Sequence, residues 1–245
     1  MRRGFQVLPP RVAGFAFLVG AGVFLGGALA SIPLVDSKGT SIYFLSPQQE
    51  LPVIAAHADF WQLQSLLQLG GSMAATIGFV LLTLTLWSFG NRVWSLLGFV
   101  ALLLSEALWI VIEAFRLGTS VWATQEATTS TTELAFYDLL FRWLEGSLFA
   151  IAISLALGAL VAYGGAFLVT TGLPRWVGWI TLAYACLGLG LVVFAGASLV
   201  PPEYVYLALL FLGVVLVLRR KPEASTERGV RNDVTGSTPV EASAP

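Results

Sequence analysis

A chain of 245 residues that is 57% apolar and only 11% charged is too hydrophobic for an ordinary soluble domain. Its formal net charge of −1, with no Lys/Arg patch interleaved with aromatics ahead of the last apolar run, gives no argument for nucleic acid as a partner. One cysteine, Cys186, and one histidine, His57, exclude intramolecular disulfides, bis-histidine haem and multi-histidine zinc sites; Cys186 is expected to be a small buried apolar side chain.

Arg2, Arg3 and Arg11 precede a first apolar run, rich in Gly and Ala, over residues 12–30. Two readings compete. Ala28-Leu29-Ala30 is similar to a signal-peptidase site, and Arg2-Arg3-Gly4-Phe5 loosely resembles a twin-arginine signal. The run is longer than a signal core, however, and more apolar runs follow, so a retained first helix is favoured. Residues 31–61 form a polar connection in which Ser46, Pro47 and Gln49 supply the N-cap, first-turn and third-position residues of a helix start. Pro52 equally opens a long helix to about residue 87, whose first turns, with His57 and Asp59, stand outside the hydrocarbon.

The second span is predicted over residues 66–87, the third over 93–117 after the turn Gly90-Asn91-Arg92, and a polar Thr-rich loop follows. Thr132 reads as an N-cap, and Glu133 as a first-turn acid, of an unbroken helix to about residue 170, with residues 146–170 in the membrane. The turn Gly172-Leu173-Pro174-Arg175 leads to a fifth span over 176–199, and Pro201-Pro202 to a shorter sixth over 204–218. The expected architecture is therefore all-α: an integral membrane bundle of six transmembrane helices over residues 1–218. Its second and fourth helices extend on the outer side. Residues 219–245 read as a disordered cytoplasmic tail. With both termini cytoplasmic, Arg2, Arg3, Arg11, Arg92, Arg175, Arg219, Arg220 and Lys221 fall inside and only Lys38, Arg116 and Arg142 outside. Trp87, Trp94, Trp176 and Trp179 are then expected at the inner interface, and Trp61, Trp122 and Trp143 at the outer one.

Small-residue pairs at Gly22-x-x-x-Gly26, Gly71-x-x-x-Ala75 and Gly158-x-x-x-Ala162 allow close helix crossings, most simply within one bundle. The first and fifth spans also echo each other, through Pro10-Arg11-Val12-Ala13-Gly14 and Pro174-Arg175-Trp176-Val177-Gly178. With its Arg-x-x-Gly entry to the first helix and Leu-Pro-Arg-x-x-Gly turn before the fifth, the chain resembles a prokaryotic family of six-helix integral membrane proteins of unknown function. That resemblance implies architecture alone, with no catalytic residue and no cofactor.

Ionisable groups inside apolar runs cost several kcal/mol or need a partner, so the candidates for ligand or ion binding are Glu106, Glu113, Arg116, Arg142, Glu145 and His57. Glu106, Glu113 and Arg116 share one helix face, and Arg142 and Glu145 are three apart on the next helix. Glu113, Arg116, Arg142 and Glu145 are expected to form a four-member ion network. Glu106, the deepest acid, is expected to face a water-filled outer vestibule edged by His57, Asp59 and Asp138. His57, Ser147 and an acid can be drawn as a triad, but a chain of this size offers such a set by chance. No nucleophile elbow, phosphate loop or zincin motif is present. The function expected is that of a non-enzymatic accessory or structural component of a prokaryotic plasma membrane. Its partners would be the lipid bilayer and either a membrane protein or a second copy of the chain. The rival reading is a small transporter or ion-coupled carrier working through Glu106 and Glu113, and an intramembrane enzyme is third.

Overall fold

The computed structural model describes residues 10–124, 131–170 and 174–218. All named elements among them are helical: α1 (Pro10–Ala30), α2 (Pro47–Ala56), α3 (Ala58–Ser88), α4 (Val93–Thr124), α5 (Thr131–Phe141), α6 (Phe149–Val169), α7 (Arg175–Ala195) and α8 (Glu203–Leu218). Five stretches are long and apolar enough to cross a membrane: Pro10–Ala30, Ala58–Ser88, Val93–Ala123, Leu134–Val169 and Arg175–Ala195. Helix α8 is apolar but spans 16 residues, roughly 24 Å, less than the ~30 Å hydrocarbon thickness. Residues 1–9 and 219–245 lie outside the description, and with them Arg2, Arg3, the tail and its basic cluster, as do residues 125–130 and 171–173 and the side chains of Thr132 and Glu133.

Two expectations about the long helices are refined. The chain does not run unbroken from residue 52 to 87. His57, with φ −131 and ψ 37, separates α2 from α3. The start of α2 is as read: the Ser46 amide donates to Gln49 Oε1 at 3.1 Å, and Pro47 takes the first turn. The fourth helical rod is continuous from α5 into α6 but passes through a π-helical stretch, Arg142–Leu148. Such wide turns re-aim side chains by inserting a residue into the α phase.

The spanning helices pack in the order α1, α3, α4, α6, α7, with α8 lying against α1. The contact between α7 and α8 that closes the circuit is slight and largely aromatic. Tyr184 and Tyr204 stack at 4.1 Å, and each hydroxyl donates to the other's backbone carbonyl, at 2.8 and 3.0 Å. Aromatic side chains fill the middle. Phe17 meets Phe79 edge-on at 4.8 Å, Phe79 lies 5.0 Å from Tyr163, and Phe24 stacks on Tyr206 at 3.6 Å. Because lipid tails are as apolar as leucine, burial alone does not drive helices together here, and close backbone approach matters more.

That approach is made by glycines only partly anticipated. Gly20 and Gly71 face each other where α1 crosses α3: a Cβ on Gly71 would stand 2.5 Å from the Phe24 backbone nitrogen, and one on Gly20 2.6 Å from that of Ala75. Gly71-x-x-x-Ala75 is thus a true crossing, whereas Gly22, Gly26 and Gly158 face open space. The two Arg-x-x-Gly entries end on equivalent contacts, Gly14 against Gly213 of α8 and Gly178 against Gly164 of α6. Cys186, expected buried, is exposed on α7.

A second, smaller apolar core lies at the end of the bundle opposite the Gly90-Asn91-Arg92 turn. It joins Leu34 and Ile42 of the first connection, Leu51, Val53 and Ile54 of α2, Trp61 of α3, Ala123 of α4 and Tyr137 of α5. The connection feeding it is locally ordered, because the Asp36 carboxylate accepts the amides of Lys38 at 2.8 Å and Thr40 at 2.7 Å. Those bonds hold its pKa below the usual value. The extended ends of α3 and α4, with α2 and α5, make this cap.

Candidate functional site

Where the cap meets the bundle, polar side chains from four helices converge on one guanidinium. Arg116 comes from α4, 23 residues or about 35 Å beyond Val93. The spacing i, i+3 brings Glu113 beside it, with Arg116 Nη1 donating to Glu113 Oε1 at 3.2 Å. From α3, Gln68 Oε1 accepts from the same nitrogen at 3.0 Å. Glu145, on the π-helical stretch, closes the fork: Arg116 Nε and Nη2 donate to its two carboxylate oxygens, each at 2.7 Å. Two parallel charge-assisted bonds make this the strongest contact of the set. The indole of Trp109 stacks its face 5.6 Å from the guanidinium carbon, and Trp61 donates its ring N–H to the Arg116 carbonyl at 2.7 Å.

Glu113 is fully buried and Arg116 nearly so. Removing one partner of a buried ion pair costs about 3–5 kcal/mol, because the other charge is left without compensation. Two carboxylates share one guanidinium, and the second oxygen of Glu113, Oε2, makes no hydrogen bond among the described residues. Glu50 adds a third acid from α2. It is 4% exposed, its Oε2 also lacks a hydrogen bond, and burial pushes its pKa up to about 8. The neighbouring Glu145 carboxylate pushes the same way, and Arg116 opposes both.

The network expected from sequence is therefore right in three members and wrong in the fourth. Arg142 points away and pairs with Asp138 at 2.9 Å, with 76% of its side chain exposed. An exposed pair of this kind contributes about 0.2–1 kcal/mol. The π turn explains the difference, since Arg142 and Glu145 do not keep the common face that i, i+3 spacing gives an α-helix. Trp61, expected in an interfacial belt, is buried at 3% exposure, while Trp87, Trp94, Trp143, Trp176 and Trp179 are exposed as a belt requires.

Glu106 stands apart, ten residues or roughly 15 Å down α4 from Arg116. It is half-buried, with the Ser72 side chain beside it, and lines a cavity of about 30 Å³ together with Ser105, Trp109 and Tyr206. That volume holds about one water, not an open vestibule. His57, Asp59 and Asp138 do not line it. His57 sits at the junction of α2 and α3 with its ring 6.5 Å from Phe60.

Sequence reasoning missed Glu50, Gln64 and Gln68. The two glutamines are four apart on an otherwise apolar helix, a same-face signal as good as that of Glu113 and Arg116. Gln64 donates to the Tyr43 hydroxyl. Glu50 carried no such signal, since its burial depends on how the cap folds down.

No family model matches this chain, and neither the curated proteins nor the solved structures searched contain a match.

Proposed function

We propose that the chain is a six-crossing protein of a prokaryotic cell membrane, both termini cytoplasmic, serving as a non-enzymatic accessory or structural component. The observation that carries this reading is the closed state of its charges. Arg116, 6% exposed, is gripped by the fully buried Glu113 and by Glu145 and Gln68, and Glu106 faces room for about one water. Such an arrangement supports a rigid cap on a bundle better than a path for a substrate. The sixth crossing is α8, which requires the membrane to thin or the helix to be continued past Leu218. The Arg-x-x-Gly entries, each ending on a glycine crossing, support kinship with the six-helix family they resemble.

A carrier working through Glu106 is the second reading, favoured by the carboxyl and Tyr206 lining one cavity with the Ser72 side chain against both. Proton uptake into proteoliposomes under an imposed membrane potential separates the two. On the accessory reading, wild type, Glu106→Gln and empty liposomes take up protons alike. Uptake by wild type that disappears in Glu106→Gln, with the variant still folded, would overturn it in favour of the carrier.

A further inference from the structure

The outer ends of α4 and α5 enclose a groove of about 540 Å³, lined by Phe115, Gly118, Trp122, Phe136, Tyr137 and Leu140. Its height relative to the bilayer is what makes it informative. Helices α1 and α7 are 21 residues each, about 31 Å, which matches a hydrocarbon core. Helix α4 has 32 residues, and the rod from α5 into α6 is 36 residues long from Leu134 to Val169. Their inner ends are level, because Asn91 Nδ2, in the turn before α4, donates to the carbonyl of Ala166 near the end of α6 at 2.9 Å. The excess length therefore stands on the outer side. Along α4 the groove runs from Phe115 to Trp122, roughly 33–44 Å above Val93, at and beyond the edge of the lipid tails. Phe136 and Leu139, 61% and 64% exposed, continue the apolar surface at the same height on α5. Apolar surface held above the hydrocarbon is not covered by lipid in place, and such patches mark binding sites.

The groove's chemistry selects the occupant. The Thr119 hydroxyl in its wall is already used on the Phe115 carbonyl at 2.9 Å, and the Tyr137 hydroxyl engages the Thr119 and Glu50 side chains. What enters finds mainly carbon and aromatic faces, with the Trp122 indole in the wall. A groove about 10 Å long on α4 and lined by seven residues is far smaller than the roughly 20–30 residues a side that a specific protein interface engages. It is of the size that holds a small ligand. We propose that this groove binds one acyl chain of a lipid drawn up from the outer leaflet. The proposal goes beyond the accessory reading and stands whether or not Glu106 carries protons.

The test uses purified protein exchanged into amphipol and titrated with 11-(dansylamino)undecanoic acid, with 1-palmitoyl-lysophosphatidylglycerol as competitor. Energy transfer from tryptophan to dansyl reports occupancy, since Trp122 lines the site. Wild type should bind one probe per chain saturably and release it to the lysolipid. Gly118→Phe fills the groove where a Cβ meets nothing within 4 Å, so the fold tolerates it. It should raise the probe Kd about tenfold or more at unchanged Tm. Phe136→Glu, on an exposed side chain, gives the same weakening if Gly118→Phe fails to fold. Non-saturable binding, equal affinity in every variant, or a wild-type dimer that Gly118→Phe dissociates would each overturn the proposal, the last by assigning the groove to a second copy.

Discussion

Glu50 shows how one side chain in the cap ties stability to pH. Its carboxyl is buried beside the Glu145 carboxylate, and its pKa rises from 4.5 to about 8. The folded protein then holds a proton that the unfolded chain has lost over that interval. Stability is therefore greatest at the acid end, falls as pH rises towards about 8, and flattens above it. We expect the Tm in detergent to drop across this window more steeply in wild type than in Glu50→Gln. Parallel curves for the two proteins would mean the carboxyl is not buried as described. Among the charged residues, Glu113 and Arg116 were legible because three-residue spacing on an α-helix fixes a common face whatever the tertiary fold. Arg142 was misassigned because a π turn leaves no mark in composition.

Helix crossings were legible in kind but not in place. Small residues four apart occur at Gly22, Gly71 and Gly158, yet of these three glycines only Gly71 abuts a neighbouring helix, because which face turns inward depends on the partner helix. Gly71→Leu would drive side-chain carbon into the backbone of Phe24 and force α1 off α3. It should abolish a monodisperse size-exclusion peak or lower Tm by roughly 5–10 °C, as follows from the ~1–3 kcal/mol that core overpacking typically costs. Gly22→Leu, which faces open space, should leave both unchanged. Equal damage from the two substitutions would count against the α1–α3 packing. The Arg-x-x-Gly entries were legible as start signals. That each glycine ends on a second glycine in a neighbouring helix needed the fold.

At the scale of the whole molecule, hydropathy alone identified the five helices long and apolar enough to cross a membrane, because backbone groups in lipid leave few alternatives to a helix. The cap was foreseen only as overlong helices. Its core depends on Leu34, Leu51, Ile54 and Tyr137 meeting across distances in the chain that no periodicity encodes. The proposed six-crossing topology, with both termini cytoplasmic, predicts opposite labelling of two sites in intact cells by a membrane-impermeant maleimide, on a Cys186→Ser background. Lys38→Cys should label, and Asn91→Cys should label only after permeabilisation. The reverse pattern would invert the orientation, and labelling at both would break it.

The π-helical stretch between α5 and α6 counts one residue more than a regular coil would need between its ends. Excising a single residue there, such as Gly146, would let a regular α-helix join the same two ends, because the wide turns already absorb the extra residue. The surplus is thus taken up locally at Arg142–Leu148, and α5 keeps the face towards the cap that a rod one residue shorter would give it.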